Sequence, residues 1–405
     1  MTRAEVGRRT GAADAAAPTA AQAPGHRTPW WREASGAVAD LGVLVPIAVT
    51  LVVANHLSAT AVLLPAAVGY LVVAAVYRLP VAVQPLKAFG AAAIAAGAGP
   101  DVIAAGALLM GAIFLALGVS GLLDRVARIF PTPVIRGVQL AVGLTFLKIA
   151  WGLVAKPPAA FTDQLPLGWT AVLAVALAAG LLLWRQRLIL PVVVLALAAA
   201  TVVATRSASL DLGPSPLSVP HLGWAELATA ATLLVLPQLP LTFANSCLAP
   251  ADAARRYFGE AAAHTVTPGR LARTLGATNL LAGAISGMPV CHGAGGMSAH
   301  VSFGARTWRA PALLGGVLLV IAVALGAGAA AVLTAFPLGV LAALLVVAAV
   351  AHIALLRDLR GRFAWALALG TGLIGFTTNL AWAVGAALLL YWADSWYRPR
   401  LGRGV

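Results

Sequence analysis

Two short segments of this chain hold the side chains best suited to bind an anion. The segment LPVAVQPLK at residues 79–87 contains Gln84 and Lys87, and the segment MPVCHGAGGM at residues 288–297 contains His292. Lysine brings a positive charge, and amide and imidazole N–H groups donate hydrogen bonds. Because residues three apart share one face of a helical turn, we expect Gln84 and Lys87 to point the same way.

Lys87 lies in a run of apolar residues, where an unpaired cation is costly. On membrane-insertion scales the penalty is at least about 2.5 kcal/mol, so Lys87 should have an anionic partner. No Asp or Glu occurs in residues 83–98 or 290–304, which leaves a bound anion as that partner. The alternative is that the side chain extends to the membrane surface, since Arg78 is only nine residues away.

Three glycines follow His292 in the second segment, namely Gly293, Gly295 and Gly296. They let the backbone come close to a ligand, and their alternative role is tight helix packing. His292 can donate an N–H group to an oxyanion, or it can bond to a neighbouring carbonyl. Cys291 precedes it, and is either a contact of the ligand or a small apolar filler.

Two more polar residues lie in apolar runs. Asp40 occurs six residues before Pro46, and could bind a proton, pair with Lys87, or lie at the inner membrane interface. Gln238 lies between Pro237 and Pro240, where a helix loses backbone hydrogen bonds and is distorted. We therefore expect Gln238 to face the ligand as well.

The composition is that of a membrane protein. Of 405 residues, 61% are hydrophobic and only 10% are charged, with a mean hydropathy of +0.92. Two cysteines are too few for a disulfide framework or a metal cluster, so we expect neither metal nor cofactor. We predict about fourteen transmembrane segments, at residues 36–55, 60–77, 83–98, 102–123, 133–154, 168–184, 188–205, 225–248, 271–286, 290–304, 310–334, 337–356, 362–376 and 379–397.

The basic residues indicate an orientation. If the N-terminus lies in the cytoplasm, 23 of the 27 Lys and Arg fall on the cytoplasmic side, two fall outside and two lie within segments. This asymmetry follows the positive-inside rule and predicts a multi-pass protein of the cell membrane with both termini cytoplasmic. It also argues against nucleic acid as the reason for the net charge of +14. Residues 1–28 contain no apolar core, and we expect them to form a disordered cytoplasmic tail.

The two halves of the chain resemble each other. The motif VLVP at residues 43–46 parallels LVLP at 234–237, and LPV at 79–81 parallels MPV at 288–290. We predict one seven-span repeat over residues 29–206 and a second over 222–397. An odd number of spans inverts the second copy, so the third and tenth segments become half-helices whose N-termini meet at the midplane. Helix N-termini carry unpaired N–H groups and a partial positive charge, and therefore favour an anion.

A resemblance to a known family becomes specific at these residues. The motifs DLG at 40–42, VQPLK at 83–87, GMPVCHGAGG at 287–296 and FGART at 303–307 resemble those of the molybdate transporter family, which is related to the sulfate permeases. The resemblance covers nearly the whole chain after residue 30. It implies the fold of uracil permease and the sulfate transporters, with fourteen helices in two inverted repeats, divided into core and gate domains. The activity that it implies is molybdate uptake.

The residues and the resemblance together predict a secondary transporter of a tetrahedral oxyanion, with molybdate as the favoured substrate and a sulfate or other oxyanion permease as the alternative. Lys87 and His292 would supply charge, Gln84 and Gln238 hydrogen bonds, and the glycine-rich backbone N–H donors. Asp40 or His292 could couple a proton. An anion channel and a membrane enzyme with a Cys291–His292 pair are the other classes. We expect the lipid bilayer as surroundings and leave a homodimer open.

Overall fold

The computed structural model describes residues 28–159, 161, 167–183, 211–329, 333 and 337–401. The predicted seventh span and nearly all of the predicted tail lie outside these residues. The described chain is almost entirely helical, as an apolar chain in lipid requires, because helices satisfy their own backbone N–H and C=O groups.

The helices before residue 184 are α1 (Trp30–Ala37), α2 (Leu41–Ala54), α3 (Ala59–Tyr77), α4 (Lys87–Ala95), α5 (Pro100–Val119), α6 (Leu122–Ala127), α7 (Thr132–Ala155) and α8 (Leu167–Leu183). A 3₁₀ turn, Val38–Asp40, joins α1 to α2, and the two-residue strand β1 (Gln84–Pro85) precedes α4.

The later helices are α9 (Trp224–Thr229), α10 (Leu236–Thr242), α11 (Ala249–Phe258), α12 (Glu260–Thr265), α13 (Pro268–Ala284), α14 (Ala294–Ser302), α15 (Arg309–Ala324), α16 (Leu338–Ile353), α17 (Arg362–Thr377) and α18 (Leu380–Leu401). The strand β2 (Val290–Cys291) precedes α14, and a 3₁₀ turn, Ala354–Asp358, follows α16. Turns of π-helix at Ala230–Val235 and Phe243–Leu248 flank α10, which is the distortion expected around Pro237 and Pro240.

Every predicted span that falls within the described residues contains a helix. Within the described residues, six continuous helices are long and apolar enough to cross a bilayer by themselves, among them Trp30–Ala54, Pro100–Val119 and Trp224–Phe258. The predicted segments at 83–98 and 290–304 contain only the nine-residue helices α4 and α14. The prediction of a polytopic helical membrane protein with two half-helices is confirmed, and the count of fourteen stays a prediction.

The same order of elements precedes both half-helices. In the first half, α3 ends at Arg78, whose φ of 55° is left-handed, and extended chain then leads to β1 and α4. In the second half, α13 is followed by Ser286, with φ of 51°, and extended chain leads to β2 and α14. A left-handed residue ends a helix by turning the chain away from its axis. The two copies of this arrangement meet in antiparallel orientation.

The described helices form two groups. In the first, α13 packs against α3 and α5, and α15 packs against α3. In the second, α7 packs against α16 and α17, while α8 packs against α16 and α18 against α17. The half-helix α14 contacts α16 of the second group, and the strand β2 that precedes it contacts α3 and α13 of the first. The meeting point of the two half-helices therefore lies beside the contact between the groups.

Ion pairs at one end join the second group to α11, which ends the continuous helix Trp224–Phe258; the earlier part of that helix packs against α5 of the first group. Arg136 of α7 pairs with Asp252 of α11, and also binds Asp358 through Nε at 2.9 Å. Arg256 of α11 lies 3.4 Å from the same Asp358. Arg136 is almost fully buried, so each of its bonds to a carboxylate replaces water that the guanidinium has lost.

Candidate functional site

A short antiparallel bridge between β1 and β2 forms the centre of the candidate site. Gln84 lies opposite Cys291, and Pro85 lies opposite Val290. The N–H of Leu86 donates to the carbonyl of Pro289 at 3.1 Å. Asn279 of α13 holds β2 in place with two bonds to Val290, of 2.7 and 2.9 Å. The non-helical backbone of these segments thus forms hydrogen bonds within the protein, which is required because lipid cannot supply them.

The bridge brings the N-termini of α4 and α14 together. The first N–H groups of a helix have no partner within that helix, and neither helix has a side-chain cap at its N-cap residue. In α14 these are the N–H groups of Ala294, Gly295 and Gly296. Each N-terminus also carries roughly half a positive charge, so the space between them favours an anion.

Lys87 adds a full positive charge at this place. Its Nζ donates to Oε1 of Gln84 at 2.8 Å and lies 5.3 Å from the centre of the Phe146 ring. It forms no ion pair with a carboxylate in the described part of the chain. The side chain therefore points into the region where the half-helices meet, and the alternative of extension to the membrane surface is wrong for this conformation. Two of the three ammonium hydrogens remain for a ligand.

Gln84 connects Lys87 to Asp40. Its Nε2 donates to Oδ1 of Asp40 at 2.6 Å, while its Oε1 accepts from Lys87. Asp40 is fully buried, and its Oδ2 also accepts from Tyr70 at 2.5 Å. Gln84 belongs to β1 and Lys87 begins α4, so the expectation that both lie on one helical turn is wrong, although the two side chains do meet.

The three glycines of α14 lie against these side chains. A Cβ at Gly293 would be 3.4 Å from Nζ of Lys87, and one at Gly295 would enter the ring of Phe146. A Cβ at Gly296 would overlap both Asp40 and Gln84. The glycines are thus required by close packing, which was the alternative role, and the same packing brings the N–H groups of α14 next to Lys87.

His292 and Cys291 point away from Lys87 towards other partners. Nδ1 of His292 lies 3.2 Å from the carbonyl of Ala82, and Nε2 lies 2.8 Å from the hydroxyl of Thr274. Cys291 is buried, and its thiol lies 3.6 Å from the carbonyl of Pro85. The expectation that His292 offers a free donor is therefore wrong for this conformation, because both ring nitrogens hold the bridge to its surroundings.

Gln238 is also occupied. Its Oε1 accepts from the N–H of Phe89 at 2.8 Å, and its Nε2 donates to Thr242 at 2.8 Å. Phe89 is the third residue of α4, so Gln238 caps that half-helix from α10. It lies within the predicted site, where it positions α4 and does not present a free amide.

The bonding partners of two residues in this region, His300 and Arg306, are not found by sequence reasoning. His300 donates from Nε2 to Oδ2 of Asp40 at 2.8 Å. Arg306 of the FGART motif donates to the carbonyls of Val301 and Ala305, both at 2.8 Å, and so caps the C-terminus of α14. The spacing of a histidine or an arginine along an apolar segment does not reveal a partner that comes from a distant helix.

The arrangement can hold an acceptor-only anion. The unpaired groups at its centre are N–H donors and an ammonium group, which suit the oxygens of a tetrahedral oxyanion. Within the described residues, no group of three His, Cys, Asp or Glu side chains is placed to hold a metal ion.

Comparison with known proteins gives relatives over most of the chain. The family model described as "Molybdate transporter of MFS superfamily" matches residues 32–146 and 230–351. Molybdate transporter 1 of Arabidopsis thaliana is 30% identical over 369 residues, covering 81% of this chain and 80% of the relative. Molybdate transporter 1 of Chlamydomonas reinhardtii is 27% identical, covering 84% of this chain and 86% of the relative.

Two kinds of solved structure share the fold. The transmembrane domain of the cyanobacterial bicarbonate transporter BicA superposes with a TM-score of 0.53 at 17% identity, covering 90% of this chain and 97% of that one. The murine Slc26a9 anion transporter, solved in the inward-facing state, gives a TM-score of 0.60 at 15% identity, covering 91% and 68%. The chain therefore shares the overall fold of these two structures. MFS proteins, which the family description names, have halves of six helices instead.

Replacing Lys87 tests the positive charge at the meeting point. We predict that Lys87→Ala weakens binding of a labelled tetrahedral dianion by about 10- to 150-fold, because one charge-assisted contact is worth about 1.5–3 kcal/mol. Binding is measured by equilibrium dialysis on purified protein. The control is Lys148→Ala in α7, since Lys148 is exposed and lies 5.9 Å from the ring of Phe376. Equal affinity of Lys87→Ala and wild type would contradict the assignment.

Proposed function

This chain belongs to the molybdate transporter family, and we propose that it is a secondary transporter of a tetrahedral oxyanion, with molybdate as its substrate. One observation carries the proposal: the ammonium group of Lys87, without a carboxylate partner in the described chain, lies where the N-termini of α4 and α14 meet. An anion bound there would neutralise the charge of Lys87 and accept hydrogen bonds from the first N–H groups of α14.

The choice of molybdate rests on the relatives. Molybdate and sulfate are both tetrahedral dianions that only accept hydrogen bonds from protein donors, so donor chemistry alone does not separate them. Three curated relatives named molybdate transporters match more than four-fifths of this chain. A sulfate or other oxyanion permease remains the second candidate, supported by the donor-rich centre of the site.

Lys87 and the backbone N–H groups of α14 are the proposed ligands. Gln84 is proposed to orient Lys87, because its amide is fixed between Asp40 and the ammonium group. Gln238 is proposed to hold α4 in position through Phe89, and His292 to hold the β1 segment through Ala82. These three residues would act on the anion through the groups that they position.

Alternating access is proposed to occur by movement between the two helix groups. Next to the site, Phe146 of α7 lies against Gly295, and His352 of α16 lies 3.0 Å from Ser298 of α14. The Arg136 ion pairs join the groups further along, on the side predicted to be cytoplasmic. Release of the anion into the cytoplasm would therefore require these contacts to separate.

The membrane orientation is a proposal that contacts between loop ends support. Thr60 bonds to Ser215, and both positions are predicted to be outside. Thr60 also bonds to the carbonyl of Ala322, near the C-terminal end of α15, which is the end of the eleventh predicted span that faces outside. Arg136 binds Asp252 and Asp358, and all three are predicted to be inside. We propose the plasma or inner membrane as the location, with both termini in the cytoplasm. A homodimer stays a prediction.

The other function classes have less support. An enzyme with a Cys291–His292 pair would need the two side chains to act on each other, but the thiol faces Pro85 and the imidazole is bonded to Thr274 and Ala82. The family consists of transporters. A carrier accumulates labelled substrate in vesicles that are preloaded with unlabelled substrate, an exchange called counterflow. An anion channel would not show this accumulation.

Competition for bound molybdate tests the substrate class. We predict that tungstate displaces labelled molybdate nearly as well as molybdate itself, because the two anions are similar in size and charge. Sulfate is smaller and should displace it more weakly. Uracil should not displace it, since its N–H groups would leave the donors of the site unpaired. Strong displacement by uracil would overturn the anion site, whereas preference for sulfate would overturn only the choice of molybdate.

Labelling from one side of the membrane tests the orientation. We predict that cysteines introduced by Glu260→Cys and Arg360→Cys react with a membrane-impermeant maleimide only from the cytoplasmic side, and that Val219→Cys reacts only from the opposite side. All three positions are exposed. The native Cys247 and Cys291 are buried, so the wild type serves as the background control. Labelling of Glu260→Cys from outside would contradict the orientation.

A further inference from the structure

Asp40 and His300 form a buried pair that the binding of an anion alone does not explain. Both side chains are fully buried, and Nε2 of His300 lies 2.8 Å from Oδ2 of Asp40. Asp40 also accepts from Tyr70 and from Gln84. A carboxylate with three donors is well suited to be ionised, because an ionised carboxylate only accepts hydrogen bonds.

His300 has one ring nitrogen left over. When Nε2 donates to Asp40, Nδ1 of a neutral ring is an acceptor, and this buried Nδ1 has no hydrogen-bond partner among the described residues. Histidine is the side chain whose charge changes most readily near neutral pH. The pair can therefore exist with a net charge of −1 or, after binding one proton, with a net charge of zero.

A continuous chain of hydrogen bonds links this pair to the proposed anion site. Oδ1 of Asp40 accepts from Gln84 at 2.6 Å, and Gln84 accepts from Lys87 at 2.8 Å. The backbone of Gly296 lies directly against Asp40 and Gln84. The Asp40–His300 pair is thus separated from the Lys87 ammonium by a single amide group, that of Gln84.

We propose that the Asp40–His300 pair is the binding site for a proton that is transported together with the oxyanion. This inference rests on the proposed function, because it takes the anion to bind at Lys87. The two ligands favour each other by electrostatics: a proton removes the negative charge of the pair, and a dianion at Lys87 stabilises the added positive charge. The proton belongs to the pair as a unit, not to either residue alone.

The elements packed around the pair carry other titratable or charged groups. They are Tyr70 of α3, Lys87 of α4, Cys291 of β2, Glu33 of α1, Arg136 of α7, Tyr257 of α11 and His352 of α16. Glu33 accepts from the N–H groups of Arg306 and Thr307, and Arg136 has its own carboxylates. His352 also has a free nitrogen, Nε2, but its Nδ1 lies 3.0 Å from the hydroxyl of Ser298 and not beside a carboxylate. Among the described residues, His300 is the buried imidazole with a carboxylate partner.

Two measurements on purified protein test the proposal. The first is the Kd of molybdate from about pH 6 to about pH 8, where a histidine titrates. Linkage of one proton makes binding weaken as pH rises, by at most about tenfold per pH unit. The second is proton uptake from a weakly buffered solution when molybdate is added, with up to one proton expected per bound anion.

Variants assign the proton to the pair. His300→Gln keeps a donor to Asp40 but does not titrate, so it should bind molybdate with a Kd that no longer depends on pH and with no proton uptake. Asp40→Asn should also abolish the uptake, and covers the case in which His300→Gln fails to fold. Two control variants, His264→Gln at an exposed position and His352→Gln at a buried one, should both retain the wild-type dependence of the molybdate Kd on pH.

The outcomes separate this proposal from the proposed function. The Asp40–His300 site is overturned if the wild type binds molybdate without proton uptake. It is also overturned if the pH dependence of the Kd persists in His300→Gln, or if it disappears only in His352→Gln. Oxyanion transport would stand in each of these cases. If the wild type does not bind molybdate at any pH, the proposed function itself fails.

Discussion

The β1–β2 bridge is the constraint on which the rest of the structure depends. Inside a membrane, extended backbone must find hydrogen-bond partners within the protein, and here two interrupted segments supply partners for each other. Their pairing fixes where α4 and α14 begin and turns both N-termini towards one place. The positive ends of two helices then need a compensating anion, and the structure supplies no carboxylate at Lys87 within the described residues. An anion-binding centre is thus a consequence of the pairing.

The polar side chains around the bridge divide into two sets with different roles. Gln238 and His292 are bonded at both ends and hold the half-helices in position. Asp40, Gln84 and Lys87 form a linear chain of hydrogen bonds that ends at the ammonium group of Lys87. Electrostatic interactions between buried groups are strong in a low-dielectric interior. A change of charge at Asp40 therefore alters the electrostatic environment of the Lys87 ammonium group. Binding and proton coupling can therefore share one set of residues.

Much of this could be predicted from the sequence, because the signals were local. Proline and glycine interrupt apolar runs at residues 79–87 and 288–297, and a lone cation follows the first interruption, so half-helices and an anion site could be predicted. The partners of individual side chains could not. Gln238 meets Phe89 across 149 residues of sequence, and His292 meets Ala82 across 210. Periodicity places a residue on a helix face but does not identify the distant atom that it contacts. The sequence therefore does not reveal the partners that occupy His292 and Gln238, nor the bond from His300 to Asp40.

The position of a bound anion tests the central claim most directly. Tungstate scatters electrons far more strongly than any protein atom, so a cryo-EM map of the protein with saturating tungstate in a bilayer nanodisc would locate it without ambiguity. We predict one strong density at hydrogen-bond distance, about 3 Å, from Nζ of Lys87 and from the first N–H groups of α14. Density only at another place, such as the Arg136 ion pairs, or an empty space between α4 and α14 at saturation, would contradict it.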